Sequence, residues 1–310
     1  MNAVLGVDLG GTTIKAGVVD ETGTVHSFVA VPSRESEGRE PWAQAALEAA
    51  TKAAAATSVE PSALGLSVPG AVDRQTATLL DLVARLDTPT GGIDLSEIYS
   101  PLGLPVKTDN DARAALCAER RWGGHKDPDN LVLLTIGTGV GSAAVIDGEA
   151  PAGRDVLGGG ILLGHTTVEL DGELCVCGNQ GCVETVASAT ALVRTAQTLG
   201  MTANDAADVF EADESGDKAA ARAIDRFLSG LTAVVVNAIH VYRPSTVVLS
   251  GGVMAQAKRI LPPLDEAVAT RAWTIPRGQT EIVASRLGAD GPVLAGASLA
   301  LDRTQPASSS

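Results

Sequence analysis

Aromatic residues are scarce in this chain: three Phe, three Trp and two Tyr make up 3% of 310 residues. Ala, Val and Leu must therefore fill any core, which suits a globular α/β protein. There is no unbroken run of about 18 apolar residues, the length a membrane-crossing helix requires, so no membrane association is expected. The start, Met1-Asn2-Ala3-Val4, carries no basic segment before an apolar one; no secretory leader is read and the expected compartment is the cytoplasm. Positive charge is also short. Lys and Arg number 23 against 37 Asp and Glu, a net −14, which argues against nucleic acid as a partner because phosphate neutralisation needs basic surface. Only four cysteines occur. Cys117 stands alone, whereas Cys175, Cys177 and Cys182 crowd together, which points to a metal rather than a disulfide framework.

Glycine, by contrast, is plentiful, with 34 residues, and much of it falls at the ends of strand-like segments. The apolar pattern predicts strands over 4–8, 14–20 and 24–31, a helix over 41–56, and a strand over 63–68 stopped by Pro69-Gly70. Residues 76–99 read as an irregular, loop-rich insertion near a ligand. A strand over 106–108 leads into Asn110-Asp111 and a helix through 121. Strands follow over 131–136 and 142–146, then a long helix over 216–240, a strand over 246–250 and a final helix over 292–301. Strand, glycine turn and strand occur at 4–20 and again at 131–147, an echo that two similar lobes would produce. The expected division is an N-terminal lobe over 1–110, joined by the terminal helix at 292–303, and a C-terminal lobe over 111–291 carrying the cysteine cluster.

Two of these turns suit phosphate. In Asp8-Leu9-Gly10-Gly11-Thr12-Thr13-Ile14-Lys15 the paired glycines let backbone approach an anion closely. Thr12, Thr13 and Lys15 can donate to its oxygens, and Asp8 at the strand end can hold a hydrated Mg²⁺. The turn joins two strands, so it is neither a Walker loop nor a dinucleotide fingerprint. Thr135, Gly137, Thr138 and Gly139 form the second turn, able to clamp the same phosphates. Gly251-Gly252, after a buried strand, offers bare backbone to a base or ribose.

Between the two glycine turns stands Asn110-Asp111. Phosphoryl transfer to a hydroxyl needs a group to take the hydroxyl proton and a donor to place the acceptor; Asp111 suits the first role and Asn110 the second. The same residues equally suit a helix N-cap. His165, Cys175, Cys177 and Cys182 have the spacing H-x9-C-x-C-x4-C, with Gly178 and Gly181 permitting a tight knuckle. A Cys₃His set matches tetrahedral Zn²⁺ in a closed structural site.

Together these motifs resemble the ROK family (repressors, open reading frames and kinases), from Gly6 to about residue 300. Asp8-Leu9-Gly10-Gly11-Thr12, Val68-Pro69-Gly70, Asn110-Asp111-Ala112, Gly137-Thr138-Gly139-Val140-Gly141, Gly164-His165 and the segment from Cys175 to Glu184 carry the likeness in order and spacing. The resemblance implies a two-lobed actin-like ATPase fold (ribonuclease H-like). It further implies Mg²⁺-ATP as donor and transfer to a sugar hydroxyl, usually the 6-OH. Asp111 matches the base; Asn110, His165 and Glu184 match sugar-contacting positions, with Gly70 grouped among them, and His165 also matches a zinc ligand. A homodimer or homotetramer is implied as well. One departure stands out: Leu162 occupies the place of a family Glu that binds sugar hydroxyls, and the region 86–89 lacks the Asn and Trp of glucose-type members. An amino-hexose is therefore a candidate acceptor, with Glu184 or Asp87 able to accept an ammonium. The alternatives are a sugar-responsive regulator, which would need a DNA-binding segment ahead of the first strand, and a catalytically silent sugar-binding protein.

Overall fold

In the structure, a computed structural model, residues 2–81, 91–150 and 161–301 are described. They divide into two compact units, residues 2–125 with 286–301 and residues 126–150 with 161–285.

In the first unit β1 (Ala3–Leu9) and β2 (Thr13–Asp20) form a hairpin in register from Ala3↔Asp20 to Leu9↔Ile14. β3 (Val29–Pro32) extends it and α1 (Arg39–Ala55) follows. The helix buries Trp42 with Ala45, Ala46, Ala49, Ala50 and Ala53, a stripe at helical spacing whose small side chains bring it close to the sheet. β4 (Leu64–Val68) is parallel to β1 and buried throughout. β5 (Ala71–Asp73), β6 (Thr78–Asp81) and β7 (Ile93–Asp94) make a small antiparallel sheet before α2 (Leu95–Tyr99). β8 (Val106–Asn110) is parallel to β4 and runs into α3 (Asp111–Trp122). The sheet order is β3-β2-β1-β4-β8.

The terminal helix, Gly291–Leu301, lies on this sheet backbone to backbone. A Cβ added at Gly65 would sit 1.9 Å from the Gly296 carbonyl oxygen, and one at Gly296 would sit 2.6 Å from the Val7 nitrogen. Ala118 of α3 shares a cluster with Val293, Leu294 and Ala297 of that helix, and the Ser298 hydroxyl donates to the Ala114 carbonyl at 3.3 Å. Because α3 is anchored this way, the first unit ends after His125, one helix later than the expected boundary at 110.

The second unit opens with the hairpin β9 (Leu131–Ile136) and β10 (Val140–Val145). Four helices follow: α4 (Glu184–Ala187), α5 (Ala189–Thr198), α6 (Ala206–Glu214) and α7 (Lys218–Tyr242). β11 (Thr246–Ser250), α8 (Ala257–Arg271) and β12 (Glu281–Ala284) complete it, in the sheet order β10-β9-β11-β12. Phe227, Leu231, Val234, Val235 and Ala238 of α7 are buried in this core with Phe210 of α6. By length and composition α7 would be long and apolar enough to cross a membrane, which counting unbroken runs does not reveal, and 50% of its most apolar stretch is buried inside the unit.

Two expectations change. The insertion at 76–99 is not wholly irregular, since β6, β7 and α2 form there and bury Leu79, Ile93, Leu95 and Tyr99; the readings on 86–89 fall outside the described residues. Of the strand expected over 24–31, only Val29–Pro32 is extended, with an isolated bridge from Val25 to Val19.

Candidate active site and metal centre

Parallel β1, β4 and β8 deliver Leu9, Val68 and Asn110 to one edge of the first sheet. The turns leaving that edge are Gly10–Thr12, Pro69-Gly70 and the start of α3. In such sheets ligands bind beyond the carboxyl ends of the strands. The register places Asp8 beside Ser67 and Ser67 beside Asp109. Ser67 donates to the Asp8 carboxylate at 2.9 Å. Loss of solvent pushes the Asp8 carboxyl up to about 6; the Ser67 hydrogen bond opposes this, the nearby Asp111 charge adds to it, and Lys15 offsets part. The turn itself is tight: a Cβ at Gly10 would lie 2.5 Å from the Thr13 carbonyl oxygen. Ser33 donates to the carbonyls of Gly11 and Thr12 and so fixes the turn from its carbonyl side.

Asn110 is the N-cap of α3. Its Oδ1 accepts from the Ala112 amide at 3.0 Å and its Nδ2 donates to the Gly70 carbonyl at 3.1 Å. Gly70 has a φ of 92°, which favours glycine. Asp111 is the first residue of the helix, and its Oδ1 also accepts from Ala112, at 2.8 Å. The N-cap reading thus holds for Asn110. Two neighbours absent from the sequence reading stabilise this junction. Buried Asp109 accepts from the Asn110 amide and from Arg113 Nε, each at 2.7 Å, and also from Arg113 Nη2. Arg74 stands 3.6 Å from its second oxygen. The Asp–Arg spacing of four was a readable signal; the Ser67 contact with Asp8, 59 residues apart, was not.

In the second unit, β9 and β11 are parallel neighbours, with Ser250 beside Thr135, so Gly137–Gly139 and Gly251-Gly252 leave the same sheet edge. A Cβ at Gly251 would lie 2.3 Å from the Ile136 carbonyl oxygen. The Thr190 hydroxyl donates to the Thr138 carbonyl at 2.8 Å, and the Ala189 amide to that of Gly137 at 2.8 Å. Glu184 lies against this turn: its Oε2 accepts from the Val140 amide at 2.9 Å and fills the space a Cβ at Gly139 would occupy, 2.3 Å away.

His165, Cys175, Cys177 and Cys182 have their candidate ligand atoms all within 4.8 Å of one another. Tetrahedral Zn²⁺, with bonds of about 2.3 Å to sulfur and about 2.0 Å to nitrogen, needs S···S edges of about 3.8 Å and S···N edges of about 3.6 Å. The Cys177–Cys182 sulfurs are 3.7 Å apart, and Cys175 Sγ is 3.6 Å from His165 Nδ1. The donor set and its spacing therefore fit a zinc ion. Burial, reinforced by the other thiols, pushes Cys182 up to about 12; burial also raises Cys175, while the Asn179 amide lowers Cys177. A cation reverses that preference by stabilising the thiolates.

The ROK family model matches residues 4–303. A glucokinase from Thermotoga maritima is 32% identical over 314 residues, covering 97% of this chain and 98% of the relative. A xylose repressor from Bacillus subtilis is 27% identical over 240 residues, covering 77% of this chain and 61% of the repressor. Among solved structures, a ROK family glucokinase from Streptomyces griseus in complex with glucose and AMPPNP superposes with a TM-score of 0.82 at 29% identity, covering 96% of this chain and 99% of that one. The mixed α/β fold is thus the actin-like ATPase fold of ROK kinase structures.

Proposed function

The chain belongs to the ROK family, and we propose that within it this protein is an ATP-dependent kinase of a hexose or amino-hexose. The observation that carries the reading is the pair of carboxylates, Asp8 and Asp111, at the ends of β1 and β8, near enough for one charge to raise the other's pKa. Two neighbouring carboxylates can divide the roles, one beside the metal and one beside the acceptor. The glucokinase relatives and the structure with glucose and AMPPNP support it.

In the proposed reaction the sugar hydroxyl oxygen, most simply the 6-OH, forms a bond to the γ-phosphorus. The bond from that phosphorus to the bridging oxygen breaks, ADP leaves with the electron pair, and the hydroxyl proton passes to Asp111. Asp111 is held at the first turn of α3 by Ala112, beside an Asn110 whose amide is fixed on Gly70. Bound Mg²⁺ supplies neutralisation of the phosphate charge, and ionised Asp8 would hold its water shell. The amides of Gly10 and Gly11, the hydroxyls of Thr12 and Thr13 and the Lys15 ammonium serve the phosphates, as do the amides and hydroxyls of Thr135, Gly137, Thr138 and Gly139; Gly251-Gly252 serves the nucleoside. Asn110, His165, Glu184 and Gly70 serve the sugar. His165 turns Nδ1 toward Cys175, which leaves Nε2 for a sugar hydroxyl. Zn²⁺, held by His165, Cys175, Cys177 and Cys182, has four protein ligands and is structural. A homodimer or homotetramer belongs to the same reading.

Mg²⁺-ATP consumption against a panel of hexoses, hexosamines and N-acetylhexosamines tests it, with Asp111→Asn as control. Turnover of at least one sugar, reduced about 10²–10⁴-fold in the variant, is the expected result; near-normal turnover by Asp111→Asn would remove the base. The repressor match motivates a second reading, a sugar-responsive regulator. Sugar binding without ATP consumption across the panel would favour it.

A further inference from the structure

We propose that Arg226 and Arg194 are positioning residues for the metal knuckle, a role that rests on the zinc reading above. Among the described residues, no hydrogen bond or ion pair joins either to a ligand atom.

Helix α7 carries Arg226 and Gly230 one turn apart, hence on one face. At Gly230 an added Cβ would lie 2.7 Å from Val186 Cγ1 and 3.3 Å from Ala187 Cβ, so α4, which begins at Glu184, rests directly on α7. One turn earlier Arg226 grips Glu169 through both terminal guanidinium nitrogens, Nη1 to Oε1 at 2.8 Å and Nη2 to Oε2 at 2.9 Å. Glu169 in turn supports the residue before a zinc ligand. The Gly181 carbonyl accepts from the Val168 and Glu169 amides at 2.8 and 3.2 Å. Gly181 has a φ of +68°, and a Cβ there would lie 1.6 Å from the Glu169 carbonyl oxygen. Cys182 follows it.

The second grip is Arg194 of α5. Its Nη2 meets the Glu173 carboxylate at 2.6 Å and donates to the Thr185 carbonyl at 2.8 Å, next to Glu184. Glu173 also accepts the Gly181 amide on its own carbonyl at 2.8 Å and stands 4.0 Å from Arg226. Charge alternates from Glu169 through Arg226 and Glu173 to Arg194. Single exposed ion pairs contribute little, but a bidentate fork within a network is the arrangement in which they count. The network spans the ligand loop and ends at both helices beneath it. Zinc ligands therefore stay gathered by two devices, the ion within and the arginines outside.

The test measures zinc release from the full-length protein to an excess of chromophoric chelator. Arg226→Met is expected to release zinc about tenfold faster than the wild type, in the range that outer partners of metal sites command. Arg226→Lys should restore part of the effect, since it keeps the charge and loses the fork. Glu169→Gln, nearly isosteric, guards against a folding defect and should match Arg226→Met, while the double variant should be no faster than either single one. Wild-type release rates in the variants, or rates that multiply in the double variant, overturn the proposal. Metal analysis of the wild type comes first: a chain that binds no zinc overturns the zinc reading itself, and the positioning role with it, before any variant is compared.

Discussion

Asp8 carries a cost that its neighbours only partly offset. Desolvation raises its carboxyl to about 6 despite the Ser67 hydrogen bond and the Lys15 charge. The folded chain therefore holds a proton between about pH 4 and 6 that the unfolded chain has released. Stability from this group is full below the unfolded value, falls as pH rises through that window, and is lowest above 6. Asp8→Asn keeps the size and an acceptor for Ser67 and removes the charge. In divalent-free buffer it should be more stable than the wild type at pH 7, by about 3 kcal/mol, and indistinguishable at pH 3.5. Urea titrations at the two values decide it; equal stability at pH 7 would show that Asp8 is not strained by burial. Leu162 offers a second test at this scale, since its side chain is 65% exposed ahead of His165. If it lines the sugar pocket, Leu162→Glu should shift preference toward common hexoses, read as the ratio of kcat/KM values, whereas an unchanged ratio places it elsewhere.

Elements meet most closely where the terminal helix crosses β1 and β4. Gly65 and Gly296 leave no room for a methyl, and the obstructing atoms are backbone, which cannot rotate away. Gly65→Ala must lift the helix from the sheet and should cost about 3 kcal/mol or more, at the upper end of overpacking effects; a urea midpoint within error of wild type would contradict the backbone contact. That crossing illustrates what a single sequence discloses. Hairpins β1–β2 and β9–β10, the glycine turns, the Asn110 cap and the spacing of the Cys₃His cluster are local and were legible. Strands β6 and β7 were hidden because they are only four and two residues long, too short for a period to show, and Ile93 follows two glycines. The unit boundary was hidden because α3 belongs with a helix some 180 residues later, through the Ser298 contact to Ala114 and the packing of Ala118 on Val293, Leu294 and Ala297. Ser67 on Asp8 and Arg226 on Glu169 escaped for the same reason: each joins residues that no periodicity links.

At the scale of the whole molecule the two units have separate cores, one built around Trp42, Leu5 and Leu66 and the other around Phe210, Phe227 and Leu231. The candidate metal ligands belong to the second. Cys182 is buried, and Val183, Ala187 and Leu163 beside the ligands are members of that core. Without an ion, Cys175 and Cys182 sit where burial disfavours their charged forms, and the loop would relax around neutral sulfur. Helix α4 joins the ligand loop to α7, packing Val186 and Ala187 against Gly230. Hydrogen exchange of the full chain, before and after chelation, should show loss of protection over residues 161–187 and on the facing turns of α7. Exchange in β1, β2 and the terminal helix should hold. Equal loss in both cores would mean that the ion supports more than the unit containing it. No loss in either would mean that the packing of Val183 and Ala187, with the arginine network outside, holds the knuckle without metal.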